Sequence, residues 1–285
     1  MKPTSLKSKI FLDGGDPNET KQAVDLLGFL DGQTTNPTLI SKNSQVKERL
    51  EKGKKFFKED LLEFYKNLVK EISSLIPYGS ISIEVPADKN TPSHEMLKVG
   101  KEMFSWIPNS HIKFPTNKEG LKAAEQATKE GIRVNMTLCF SQEQAAAVYA
   151  ATKGAKDTFV SPFVGRLDDI GENGMDLIKN ILQMYKSSDQ HVKVLTASVR
   201  SLDHFLFALY LGSDIITAPF KILKEWAEKG LPIPRDNSMY DPNNLKGIPY
   251  KKLNLNKKWQ EFNINHELTE KGLEKFASDW NSLIG

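Results

Sequence analysis

The stretch "NSHIKFPTNKEGLKAAEQATKEGIRVNMTLC" (109–139) reads as one strand–helix–strand unit. Residues 110–115 alternate apolar positions about Lys113 and stop at Pro115, which predicts a short strand ending there. Residues 118–131 then place Leu121, Ala124 and Ala127 on one helical face and close on Gly131. Residues 133–139 return to strand character. A strand, an amphipathic helix and a second strand in this order imply parallel pairing through a right-handed crossover.

The same alternation extends in both directions. Apolar runs occur at 9–13 (KIFLD), 32–36 (GQTTN), 80–86 (SISIEVP), 158–164 (TFVSPFV), 193–198 (KVLTAS) and 214–219 (DIITAP), so eight strands are predicted in all. The second is the weakest, since Thr-Thr-Asn-Pro carries little apolar signal. Eight such units predict an α/β chain of 285 residues forming a single (β/α)8 TIM barrel over residues 1–285, with a doubly wound open sheet as the alternative. Segment 43–76 reads as one long helix or two. "SQEQAAAVYAATKG" (141–154) opens with a capping-box pattern, Ser141 with Gln144, and closes on Gly154. Residues 229–266 are rich in proline, asparagine and lysine and read as an irregular C-terminal extension, followed by a closing helix over about 267–283. The lysines of 246–258 read as a solvated face, with a phosphate or partner contact as the alternative.

Composition narrows the function. Hydrophobic residues make up 39% and charged residues 26%, the balance of a soluble globular chain. A net charge of +3 gives no global field for nucleic acid. A single cysteine, Cys139, excludes an internal disulfide framework and reads as a core thiol. The N-terminus lacks the apolar core of a signal peptide and no window reaches membrane-spanning length, so a cytoplasmic location with no membrane partner is expected. The five histidines show no ligand spacing, Asp168–Asp169 read as caps of the next helix, and "DGGD" lacks the context of a phosphate loop, so neither metal nor cofactor is expected.

Polar residues recur at the C-terminal ends of the predicted strands, where a barrel carries its active site. Asp13 ends the first, Asn36 the second and Glu84 the third. Lys113 lies in the fourth, Asn135 and Thr137 in the fifth, Ser161 and Arg166 in or after the sixth, and Ser198 and Arg200 at or beyond the end of the seventh. Asn135 and Thr137, two apart, share a strand face. Lys113 shares its face with His111 and Pro115, leaving Ile112 and Phe114 to pack outward. A lysine inside a barrel lumen has its ammonium form disfavoured by poor hydration, and a neutral amine is a nucleophile whose characteristic chemistry is a Schiff base with a carbonyl. A buried ion pair with Glu84 or Asp13 is the alternative. Asp13 and Glu84 can divide the proton transfers that imine chemistry and C–C cleavage require. Arg166, Arg200 and Ser198 suit a phosphate clamp.

These motifs resemble the transaldolase family. "DGQTTNPTLI" is similar to its second-strand signature and "IKFPTNKEGLKAAEQATKEGIRVNMTLCFSQEQA" to its Schiff-base lysine and fifth-strand region. "VSPFVGRLDD" and "TASVR" are similar to its phosphate-end motifs, and the match runs from about residue 9 to about 228 in the family's order. The resemblance implies a cofactor-free class I aldol mechanism transferring dihydroxyacetone between sugar phosphates. It also implies roles: Lys113 as the imine, Asp13 as acid/base, and Glu84 acting through a water held with Thr137. Asn36, Asn135 and Ser161 would bind the dihydroxyacetone unit, and Arg166, Ser198 and Arg200 the phosphate. The nearest alternative resembles fructose-6-phosphate aldolase, which releases free dihydroxyacetone; there, glutamine and tyrosine stand where this chain has Glu84 and Phe163. A catalytically inactive sugar-phosphate binder is the further alternative, and a homo-oligomer is left open. Two positions depart from the family pattern, Phe114 after the lysine and Asn117 in place of Ser or Thr.

Overall fold

The structure, a computed structural model, describes residues 2–236, 240–242 and 244–285. Eight strands close into a barrel in sequence order, every neighbouring pair parallel. They are β1 (Lys9–Asp13), β2 (Gly32–Thr34), β3 (Ser80–Glu84), β4 (Ser110–Pro115), β5 (Val134–Cys139), β6 (Thr158–Pro162), β7 (Val192–Thr196) and β8 (Ile215–Ala218). The open-sheet alternative is therefore excluded. The ring outside is built from α1 (Pro17–Leu27), α2 (Pro37–Ser41), α3 (Ser44–Glu51), α4 (Lys58–Leu75), α5 (Ser93–Phe104) and α6 (Lys118–Lys129). It continues with α7 (Gln142–Ala151), α8 (Val164–Asp168), α9 (Gly174–Tyr185), α10 (Leu202–Leu211), α11 (Phe220–Glu228) and the C-terminal α12 (Glu267–Asn281).

Local chemistry explains these boundaries. Asn117 caps α6 by accepting a hydrogen bond from the Gly120 amide, so the departure from Ser or Thr keeps a competent cap. The capping box of α7 forms as expected, with Ser141 Oγ accepting from Gln144 N and the Gln144 side chain accepting from Ser141 N. Segment 43–76 resolves into two helices, α3 and α4, with Gly53 at positive φ between them. Phe114 points outward, as expected, and α5 makes room for it at Gly100, where a Cβ would lie 2.8 Å from the ring.

Strand β2 is three residues long and ends at Thr34, shorter than the predicted 32–36. A Cβ at Gly32 would lie 2.3 Å from Ser80 O and 2.5 Å from the Phe11 ring, so only glycine fits there. The lumen at that level is filled by Phe11, in edge contact with Phe159 at 6.2 Å. Gln33 is fully buried and satisfied, accepting from Thr20 Oγ1 and donating to Gly14 O. The floor of the barrel is closed by His111, stacked on Phe159 at 4.0 Å and bonded to Ser80 Oγ and Asp157 O.

Asp168 and Asp169 divide, against the expectation that both cap. Asp168 Oδ1 accepts from the Gly174 amide at the start of α9, whereas Asp169 pairs with Arg200. Residues 231–258 contain no helix or strand among those described, and a short 3-10 turn at Trp259–Glu261 leads into α12. That helix folds back across the C-terminal ends of the strands. Gln144, fully buried, ties it down by donating to Thr269 Oγ1 and Ile264 O, and Thr269 Oγ1 in turn donates to Leu138 O. Leu138 sits at φ 58° where the β5–β6 register shifts by one residue, so the hydroxyl of α12 satisfies the carbonyl that this bulge frees.

Candidate active site

A cavity of about 290 Å³ opens at the C-terminal ends of the strands. Nine of the eleven sequence-predicted site residues line it: Asp13, Asn36, Lys113, Thr137, Ser161, Phe163, Arg166, Ser198 and Arg200. The remaining two, Glu84 and Asn135, lie against lining residues without reaching the cavity themselves.

Strand register assembles the centre. Glu84 on β3 is the neighbour of Lys113 on β4, which is the neighbour of Asn135 on β5, and Pro115 aligns with Thr137. Lys113 is 3% exposed, its Nζ lies 2.7 Å from Glu84 Oε2, and it donates to Thr35 O at 2.7 Å. The lysine thus has the buried carboxylate partner that the sequence offered as the alternative to a free amine. The two readings are compatible with one geometry, because a proton can pass between Lys113 Nζ and Glu84 without leaving an isolated charge. Burial pushes the Glu84 carboxyl above its ordinary value, opposed by Lys113 and more weakly by Arg166. Behind it, Tyr65 OH accepts from the Glu84 amide and is bonded to Thr35 Oγ1 at 2.5 Å, which ties the lysine's carbonyl contact to the glutamate's backbone.

Asp13 stands at the end of β1 and accepts from Thr34 Oγ1 at 2.8 Å, with Thr217 Oγ1 a further 2.7 Å on. Burial raises its carboxyl above the usual range, held back by Lys113, by the Thr34 hydrogen bond and by Lys42. Two carboxylates therefore flank one lysine. Thr137 Oγ1 is buried and has no hydrogen-bond partner among the described residues. A hydroxyl left in that condition suits a bound oxygen.

Asn36 caps α2, its Oδ1 accepting from the Leu39 amide, so the turn role and the cavity position coincide. Asn135 was expected to contact a ligand directly. In the structure its amide donates to Ser82 Oγ at 3.0 Å and its carbonyl accepts from Ser161 Oγ at 2.6 Å, which ties it to the cavity-lining Ser161. It acts on the cavity by orienting Ser161.

The arginines at the β6–β7 rim differ from each other. Arg166 is half-buried, with its guanidinium 5.4 Å from the Phe163 ring and 5.3 Å from the Phe276 ring. Burial lowers its pKa below the usual arginine value, yet it stays a cation at neutral pH. Arg200 is half-exposed and bidentate to Asp169 at 2.5 and 2.6 Å, so its fork is already engaged. Ser198 has φ 58°, a left-handed conformation uncommon for a side chain of any size, and its carbonyl accepts from Gly165 N. This bond joins the end of β7 to the β6 loop, and both arginines line the cavity at that rim.

The cavity also contains residues that the sequence reading passed over, chiefly Thr34, Lys42, Thr217 and Phe276. Thr217 was detectable as a polar residue in the apolar run of β8, the signal that singled out Lys113. Phe276 was not, because on the apolar face of α12 it looks like any core residue. Among the described residues no group of three or more His, Cys, Asp or Glu side chains could hold a metal ion, and no helix is long and apolar enough to cross a membrane.

Comparison with known proteins places the chain in a family. The family model for transaldolase/fructose-6-phosphate aldolase matches residues 10–285. The chain is 34% identical over 275 residues to a probable transaldolase of Dehalococcoides mccartyi, covering 96% of this chain and 99% of that one. It is 36% identical over 275 residues to a probable transaldolase of Herpetosiphon aurantiacus, covering 96% of each. Among solved structures, 3-hexulose-6-phosphate synthase from Salmonella typhimurium aligns with 79% of this chain and 99% of its own at 12% identity and a TM-score of 0.49, too distant to bear on function. A full-length family match and relatives sharing a third of their residues over nearly their whole length carry the conclusion: this chain belongs to the transaldolase/fructose-6-phosphate aldolase family.

Proposed function

We propose that the protein is a transaldolase that carries a dihydroxyacetone unit from a ketose phosphate to an aldose phosphate through a Schiff base on Lys113. The reaction would be sedoheptulose 7-phosphate with glyceraldehyde 3-phosphate giving erythrose 4-phosphate and fructose 6-phosphate, a step of the pentose phosphate pathway. The observation that carries this reading is the placement of Lys113, with its Nζ 2.7 Å from Glu84 and Asp13 on the same cavity wall.

The steps follow from that arrangement. Lys113 gives its proton to Glu84 and adds to the substrate C2 carbonyl, and Glu84 with Thr137 moves protons as the carbinolamine loses water. The iminium then serves as the electron sink while Asp13 takes the proton of the C4 hydroxyl and the C3–C4 bond breaks. The first aldose phosphate departs, an acceptor aldehyde binds, Asp13 returns the proton to its oxygen as the new bond forms, and water then hydrolyses the product iminium, releasing the ketose and the Lys113 amine. Ser161, oriented by Asn135, and Asn36 hold the three-carbon unit, while Arg166, Ser198 and Arg200 bind the phosphate. The chemistry requires no metal or cofactor. A cytoplasmic location is in keeping with the single buried cysteine and the balanced charge.

Transfer is favoured over release of free dihydroxyacetone by Phe163, which offers no hydroxyl to deliver a proton to the carbanion, and by Glu84 in place of glutamine. The deciding experiment supplies fructose 6-phosphate with and without an aldose phosphate and compares free dihydroxyacetone with transferred product. Transfer should dominate, with little turnover when no acceptor is present. Equal rates of release without acceptor and transfer with it would reassign the protein as an aldolase, and no turnover of any kind would leave a sugar-phosphate binder.

A further inference from the structure

Arg166 is half-buried, and among the described residues no carboxylate pairs with it or hydrogen-bonds it, Glu84, Asp169 and Asp279 acting on it only at longer range. What it touches are two aromatic rings. Phe163 follows β6, near Arg166 itself, whereas Phe276 comes from α12, more than a hundred residues away in the chain. The same helix meets the guanidinium a second time. A Cβ at Gly272 would lie 2.6 Å from Arg166 Nη1, so this face of α12 is cut back to the backbone where the arginine passes.

The helix is also held at both rims of the cavity. Thr269 Oγ1 bonds the freed carbonyl of the β5 bulge, and at the opposite rim the Asp279 carboxylate accepts from Thr38 Oγ1 in α2, the helix capped by Asn36. Main-chain bonds from Phe56 N to Leu283 O and from Gly285 N to Phe56 O secure its end. Trp280 packs on Tyr65, the residue behind Glu84, with ring centroids 5.9 Å apart. Phe276, 3% exposed, therefore occupies a fixed point of a fixed helix.

From this geometry we propose that Phe276 is a positioning residue for phosphate recognition, holding the Arg166 guanidinium by a cation–π contact so that its donors are directed to the substrate phosphate. The proposal rests on the reading of Arg166 as a phosphate ligand. A guanidinium held by ring faces keeps all five N–H donors for a ligand, whereas one held by a carboxylate, as Arg200 is by Asp169, has part of its fork engaged. The C-terminal helix thereby becomes part of the substrate site rather than only a cover for the barrel.

The test compares Phe276→Leu, which keeps an apolar side chain of similar bulk but removes the ring, with Phe276→Tyr, which keeps the ring. Donors are fructose 6-phosphate and unphosphorylated fructose, with unphosphorylated glyceraldehyde as a constant acceptor and inorganic phosphate as a competing probe. Thermal midpoints and circular dichroism report on folding. Phe276→Leu should raise KM for fructose 6-phosphate about tenfold with a small change in kcat, the size of effect a partly desolvated cation–π contact gives. The inhibition constant of phosphate should rise in parallel, and Phe276→Tyr should restore both. In an Arg166→Ala background the Phe276→Leu change should add nothing further. Equal losses on both donors, or the full effect persisting without Arg166, would overturn the proposal while leaving Arg166 a phosphate ligand. An Arg166→Ala variant with unaltered KM for fructose 6-phosphate would overturn the phosphate reading itself, and this inference with it.

Discussion

Replacing Thr137 by valine should raise stability and lower activity together. The Thr137 hydroxyl is buried, lines the cavity together with Lys113 and has no partner among the described residues. A buried hydroxyl bonded by no protein group costs a folded protein about 1–3 kcal/mol, the lower end applying where cavity water reaches it, and valine has nearly the same shape with a methyl in its place. Taking the lower end, the variant gains about 1 kcal/mol, which for a chain of this size shifts the melting midpoint upward by roughly 2–4 °C. The same hydroxyl is assigned to proton movement at the carbinolamine, and loss of one well-placed hydrogen-bonding group in such a step lowers kcat by about a hundredfold. Differential scanning calorimetry with denaturant titration measures the first effect, and steady-state transfer from fructose 6-phosphate measures the second. Purely structural threonines give the opposite pair. If Thr137→Val melts lower and turns over normally, the hydroxyl has a structural partner and the proposed role is wrong.

The two arginines should separate on phosphorylated substrates. Arg166→Ala should lose about 2–3 kcal/mol of selectivity for them, as expected of a charge-assisted contact, and Arg200→Ala only about 1 kcal/mol because Asp169 already engages an exposed fork; kcat/KM on phosphorylated and unphosphorylated donors reads both. Phe163→Tyr should increase free dihydroxyacetone relative to transferred product, and an unchanged ratio would remove Phe163 from the control of transfer. Stability should fall with acidity below about pH 6.5 through His111, whose burial among Phe159, Ser80 and the Asp157 carbonyl lowers its pKa from 6.5 despite the nearby Asp157 carboxylate. The unfolded chain then binds a proton that the folded one refuses, so stability is complete above the unfolded value and is lost as pH drops toward the folded one. Melting midpoints from pH 7.5 to 5.5 should show this slope, and His111→Gln should flatten it.

Much of the barrel could be read before any coordinates, wherever one face of a strand carried an unmistakable apolar pattern. The bounds of β1 and β4 coincide with the runs KIFLD and SHIKFP, since both have large apolar residues packing on both sides. Strand β2 was nearly silent because its lumen space is filled by Phe11 from β1, which forces Gly32, while Gln33 is buried by hydrogen bonding rather than by hydrophobicity. Residues of the cavity wall were legible where a polar side chain interrupts an apolar strand end, as with Asp13, Lys113 and Thr137. For Asn135 the alternation gives the lumen face, whereas its bonds to Ser82 and Ser161 depend on the tilt and shear of the closed sheet, which the sequence does not show. Partners across long sequence distance were not legible. Asp169 beside Arg200, and Phe276 beside Arg166, look in sequence like a helix cap and a core aromatic.

The claim on which the account turns is that Lys113 forms the covalent link to the substrate. Incubation with fructose 6-phosphate and sodium borohydride, followed by proteolysis and mass mapping, tests it directly. One lysine should carry a reduced three-carbon adduct, that lysine should be Lys113, and labelling should vanish in Lys113→Ala although that variant still folds. An adduct on any other lysine, or sustained turnover by Lys113→Ala, would contradict the assignment.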